Sequence, residues 1–78
     1  MSISARILNR WVEATVTVPC DASYDVFDHT PDWRTVVFSN GRVAIECRSM
    51  RVFQNEQGAE LTIKLRQHDY ERLCIVIG

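Results

Sequence analysis

Between Trp11 and Val18 the chain alternates strictly. Val12, Ala14, Val16 and Val18 are apolar, while Glu13, Thr15 and Thr17 are polar. A period of two puts the apolar set on one face of an extended segment, which predicts a half-buried strand ended by Pro19. The same pattern returns at Leu61, Ile63 and Leu65, with Glu60, Thr62, Lys64 and Arg66 on the opposite face. Arg34–Ser39 and Arg42–Cys47 flank Asn40-Gly41, a dipeptide that accepts positive φ at both positions and so predicts a tight hairpin. The second arm of that hairpin continues to Phe53 with a bulge or bend near Arg48-Ser49-Met50, where the alternation loses phase. Asn55-Glu56-Gln57-Gly58 reads as the next turn. Gln67–Glu71 reads as a polar turn and Arg72–Ile77 as a final strand. Residues 3–8, with Ile3, Ile7 and Leu8, fit a strand or a short helix equally well.

One segment has the look of a helix. From Asp21 to Thr30, Ala22, Val26 and Phe27 fall on one side of a helical wheel and Asp21, Asp25 and Asp28 on the other. Asp21 or Ser23 supplies an N-cap, and Pro31 turns the chain away from helical angles, so the helix is predicted over residues 22–29. The expected fold is therefore α+β: about five antiparallel strands with one short helix between the first and second long strands. A small rolled β-barrel is the alternative, because a bulged long strand helps a sheet to curl.

With 78 residues the chain makes one small domain, residues 1–78. No apolar run reaches the length of a membrane span, and residues 1–11 lack the apolar stretch of a secretory signal. Cys20, Cys47 and Cys74 are odd in number and far apart, which predicts reduced thiols in a cytoplasmic protein. Their spacing gives no paired metal-ligand motif. There is no Gly-rich phosphate loop and no nucleophile elbow, and the aspartates lack the alternation and central Gly of a calcium loop. Asp28-His29 and His68-Asp69 are sequence neighbours, which point in different directions on a regular element. The expectation is a non-enzymatic binding module without metal or cofactor.

The net charge is only −1, but it is unevenly laid along the chain. Residues 11–33 hold Glu13, Asp21, Asp25, Asp28 and Asp32 with no Lys or Arg, whereas residues 34–52 hold Arg34, Arg42, Arg48 and Arg51 against Glu46 alone. On a helix the aspartates would form one acidic face able to meet a basic surface on another protein or protein–nucleic acid complex. Asp21, Asp25, Asp28 and Asp32, with Tyr24 and Trp33 supplying apolar contact, are the first candidate site. In size, single-domain build and local acidity the chain resembles small phage-encoded inhibitors such as anti-CRISPR proteins. That resemblance implies an inhibitor covering a nucleic-acid-binding surface.

The arginines support a second reading, an Arg-rich sheet that binds single-stranded nucleic acid through Arg34, Arg42, Arg48, Arg51 and Arg66, with Lys64 beside them and Phe38 and Phe53 near by. Pairing of Glu46 and Glu60 with these arginines across strands is the competing use of the same charges. A third reading starts from Leu73, Ile75, Val76 and Ile77, which carry no polar guard. As an edge strand they would make a structural or assembly subunit, a homodimer joined through the C-terminal strand.

Overall fold

The computed structural model describes residues 1–38 and 43–77. Among the described residues, seven strands and one helix follow one another: β1 (Ser2–Leu8), β2 (Trp11–Pro19), β3 (Tyr24–Thr30), β4 (Trp33–Phe38), β5 (Ala44–Cys47), β6 (Met50–Asn55), β7 (Gly58–Arg66) and α1 (Gln67–Ile77). They form two antiparallel sheets, one in the order β1-β2-β7-β6 and one in the order β3-β4-β5.

The two most regular alternations in the sequence become the central strands of the larger sheet. β2 and β7 pair along their full length, from Trp11 opposite Arg66 to Pro19 opposite Gly58. Val12, Ala14, Val16 and Val18 from β2 join Ala59, Leu61, Ile63 and Leu65 from β7 on the inner face, all buried. Val36, Phe38, Ile45 and Cys47 meet them from the smaller sheet, with Val43 just before β5, and Leu73 of α1 closes the cluster. Fully burying each large apolar side chain there contributes about 1.5–3 kcal/mol.

Short turns set the registers. Asn9 and Arg10 link β1 to β2, with Asn9 at φ 57°, a left-handed conformation that Asn tolerates. Glu56 and Gln57 link β6 to β7, where the Asn55 side-chain oxygen accepts a hydrogen bond from the Gln57 backbone N–H at 2.8 Å. Gly58 follows at φ 142°, and a Cβ there would lie 2.1 Å from the Val18 carbonyl oxygen, so no side chain fits between β7 and β2 at this point. The Asn40-Gly41 turn lies outside the described residues. The flanking strands pair from Val37 opposite Ala44 to Arg34 opposite Cys47.

The bend expected near Arg48-Ser49-Met50 joins the two sheets. β5 pairs with β4, the chain turns at Arg48 and Ser49, and β6 pairs with β7. Arg48 N–H donates to the Lys64 carbonyl at 2.8 Å and Lys64 N–H to the Ser49 carbonyl at 3.1 Å, so the corner keeps its backbone partners. A strand that changes sheets at a bend is how two sheets share a corner.

Three expectations are corrected. The predicted helix over 22–29 is the strand β3, paired with β4 from Tyr24 opposite Phe38 to Thr30 opposite Trp33. Tyr24, Val26, Phe27 and Thr30 are strand-favouring, and the aspartates among them are poor helix formers. Eight residues between turn formers could not hold a helix without a stronger apolar face. The predicted final strand Arg72–Ile77 belongs to α1. Here the β-branched residues give way to packing, because Tyr70, Leu73 and Ile77 recur at helical spacing and turn toward the core. A homodimer through a C-terminal strand therefore has no strand to use. Finally, the α+β single-sheet plan and the barrel alternative both give way to a mostly β fold of two open sheets with a C-terminal helix. Among the described residues no helix is long and apolar enough to cross a membrane.

Candidate nucleic-acid interface

The apolar face of the larger sheet is covered by the smaller sheet and α1. Among the described residues no helix or strand lies across its other face. Pairing fixes what that outer face displays. One row runs Leu8, Trp11, Arg66; the next Arg6, Glu13, Lys64; the next Ser4, Thr15, Thr62, Arg51; and the last row with a charge Ser2, Thr17, Glu60, Phe53. The face carries Arg6, Arg51, Lys64 and Arg66 against Glu13 and Glu60. From the first row to the last along β7 is roughly 20 Å at about 3.3 Å per residue.

Arg48 extends this face around the corner. Its guanidinium lies 5.3 Å from the Trp11 ring centroid and 5.4 Å from that of Trp33, while Arg66 lies 5.6 Å from the Trp33 ring. Trp11 comes from β2 and Trp33 from β4, so one cation bridges the two sheets. Each such contact is worth about 0.5–1 kcal/mol at an exposed site. A guanidinium stacked on an indole keeps its N–H edge free to donate, which suits it to phosphate oxygens.

The ion pairs separate the arginines by role. Arg6 Nε lies 3.0 Å from Glu13 Oε1, and Arg34 Nε lies 2.9 Å from Asp28 Oδ1. Arg34 also donates to the carbonyls of Pro31 at 3.4 Å and Arg48 at 3.5 Å, which commits it to the fold. Among the described residues Arg48, Arg51, Lys64 and Arg66 have no carboxylate within 4.0 Å. Glu46 and Glu60, expected to pair with arginines across strands, make no ion pair with an arginine among the described residues. Glu46 stands opposite Thr35 and Glu60 opposite Phe53. Arg42 lies outside the described residues.

Of the two candidate phenylalanines, Phe38 is in the core and Phe53 is 65% exposed on the outer face. Beside Phe53 is an open depression of ≈ 470 Å³ lined by Glu13, Thr15, Arg51, Glu60 and Thr62 among others. It joins an aromatic side, a cation, two hydroxyls and two carboxylates.

The acidic candidates do not assemble. Asp25 and Asp28 are three apart on a strand and so project from opposite faces. Asp28 is paired with Arg34, and Asp21 and Asp32 lie in separate turns. Tyr24 packs against the core, and Trp33 is stacked with Arg48 and Arg66. Of the features that carry the resemblance to phage inhibitors, the acidic face assumed a helix over 22–29, and β3 takes its place. The two His–Asp neighbours also separate in use. His29 Nε2 is 2.7 Å from Thr35 Oγ1, whereas His68 Nε2 is 3.5 Å from Asp69 Oδ1 at the start of α1, where Arg72 also reaches that oxygen at 3.3 Å.

Trp11 and Arg6 were absent from the arginine-based candidate set, although the alternation of β2 already placed Trp11 in phase with Glu13, Thr15 and Thr17 on the polar face. No protein-family model matches the chain, and comparison with curated proteins and with solved structures finds no similar protein.

Proposed function

We propose that the protein binds single-stranded nucleic acid across the outer face of its larger sheet. The observation that carries this reading is the gathering of Arg51, Lys64 and Arg66 on one open face with Trp11 and Phe53, and of Arg48 at its corner, none of the four within 4.0 Å of a carboxylate among the described residues. The cations follow the phosphate backbone, and Phe53 offers its ring to a base. Arg66 and Arg48 hold the strand at the corner, where the stacked indoles keep their guanidinium groups in place. Thr15 and Thr62 donate to or accept from base edges in the depression beside Phe53.

Such a surface reads charge and π-faces more than sequence, so weak sequence preference is expected. With an overall charge of −1 the remainder of the molecule adds no general attraction to polyanions, and binding depends on this face. Four unpaired cations predict a slope of log K against log salt of about −3 on a single strand, at roughly 0.7 per phosphate.

The test is a titration of labelled single-stranded DNA and RNA oligonucleotides, followed by anisotropy and by quenching of the tryptophan emission at several salt concentrations. Binding that falls with salt, and that weakens by about tenfold or more in Phe53→Ala and in Arg51→Ala with Lys64→Ala, is the expected result. Failure to bind either single strand at low salt overturns the reading. So does binding left unchanged by these variants.

A further inference from the structure

We propose that a second copy of this chain pairs with β1, edge to edge and antiparallel, to make one continuous eight-stranded sheet. This inference is independent of the nucleic-acid reading. β1 is an open edge of the larger sheet. Its seven residues Ser-Ile-Ser-Ala-Arg-Ile-Leu carry no Pro and no bulge, and its only charge, Arg6, is already paired with Glu13. These are the features that leave an edge open to another strand.

What selects a second copy is the self-complementary sequence. A two-fold axis perpendicular to the sheet at Ala5 pairs all of Ser2–Leu8 with the partner's same residues in reverse. Ile7 then faces the partner's Ile3, Arg6 faces the partner's Ser4, and Ser2 faces the partner's Leu8. Such an interface is isologous, so each contact occurs twice. Moving the axis to Arg6 sets two arginines opposite each other, which is unfavourable.

Ile7 supplies the apolar reason. It lies on the inner face, in register with the buried Val12, yet is 73% exposed because the sheet stops beside it. Next to it, where β1 meets α1, is a groove of ≈ 390 Å³ lined by Ala5, Arg6, Ile7, Val12, Gln67 and Tyr70. An added strand covers Ile7 with the partner's Ile3 and extends the inner face past its present limit.

The other edges fit a second copy less well. β3 carries Asp25 and Asp28, has an irregular register between Asp28 and Thr30, and runs into Pro31. β5 is four residues long and ends at the corner. Self-pairing of β6 about Phe53 sets Val52 against Gln54 on the inner side, with no apolar match.

Sedimentation of the wild-type chain over a range of concentrations should show a reversible monomer–dimer equilibrium. Ile7→Lys and Ser4→Lys should each weaken it by about tenfold or more, the first by charging the apolar contact and the second by setting Lys opposite the partner's Arg6. Ser4→Glu, whose carboxylate would face that Arg6, should keep the dimer. Circular dichroism checks that each variant is folded. Both altered positions are exposed in the single chain. Register is read separately. With Cys20→Ser and Cys74→Ser as background, Ala5→Cys should cross-link across the axis on oxidation and Ile7→Cys should not. A wild-type chain that stays monomeric up to its solubility limit overturns the proposal. A dimer that is indifferent to both lysine variants, or one cross-linked through position 7 and not position 5, does the same.

Discussion

The larger sheet and β3 use the same alphabet of charge and aromatic residues with opposite results. On the outer face of the larger sheet, strand pairing collects Arg51, Lys64 and Arg66, with Arg48 at the corner, and among the described residues leaves all four without a carboxylate. On β3, aspartates that are close in sequence are thrown to opposite faces, and one is neutralised by Arg34. Proximity along the chain is a poor guide to a shared surface when the period is two. Register across strands is the better one. The two regions also differ in depth: β7 lies between two strands and under a core, whereas β3 is an edge with nearly every residue exposed.

That difference in depth gives the largest expected effect. Leu61 in β7 is fully buried, so Leu61→Ala should cost about 2–5 kcal/mol of unfolding free energy. Val26 in β3 is 37% exposed, and Val26→Ala should cost less than about 1 kcal/mol. Urea unfolding of the two variants measures both. Equal losses would mean that β3 is as deeply built into the core as β7, against the burial described above.

A smaller effect separates the two kinds of arginine. Arg48→Ala removes the cation shared by Trp11 and Trp33, worth about 1–2 kcal/mol for two contacts, and also removes a proposed phosphate contact. Arg34→Ala removes the Asp28 pair and two carbonyl contacts but no group of the proposed interface. Both should lower the unfolding midpoint. Only Arg48→Ala should also weaken oligonucleotide binding, by about tenfold, the size of one lost contact of roughly 1.4 kcal/mol. Equal losses of binding in the two variants would dissolve the distinction drawn from the ion pairs.

Some of this was legible in the sequence. The alternations of β2 and β7, the turn at Asn55–Gly58 and the bend at Arg48–Met50 follow from period and turn chemistry alone, and all are present. The two errors share one cause. Tyr24–Thr30 mixes aspartates with aromatic and β-branched residues, and its aspartate spacing imitates a helix. Gln67–Ile77 ends in Ile-Val-Ile, which imitates a strand, and only the contact of Tyr70, Leu73 and Ile77 with the core settles it. In both, local pattern and local propensity disagree, and tertiary packing decides. The candidate interface was half legible. Lys64 and Arg66 were on one face from the start, but bringing them to Arg51, Phe53 and Trp11 requires the pairing of β2, β7 and β6, which no single segment encodes.

The smallest expected effect is a pH dependence set at Cys47 in β5, opposite Arg34 of β4. Burial raises the Cys47 thiol above its ordinary value of 9.0, and the Arg34 guanidinium near by pulls it down by less. The unfolded chain therefore gives up this proton at lower pH than the folded one. Any stability the shift contributes is fully present below about pH 9 and is lost as pH rises from there through the folded value. Thermal unfolding midpoints should fall more steeply above pH 9 in the wild type than in Cys47→Ala, whatever the offset between the two at neutral pH. Arg34→Ala removes the opposing pull, so the thiol titrates higher still and the decline extends further up the pH scale. A Cys47→Ala profile parallel to the wild type throughout would show that the alkaline loss comes from other groups. A decline for Arg34→Ala that reaches no further than that of the wild type would show that its guanidinium does not act on the thiol.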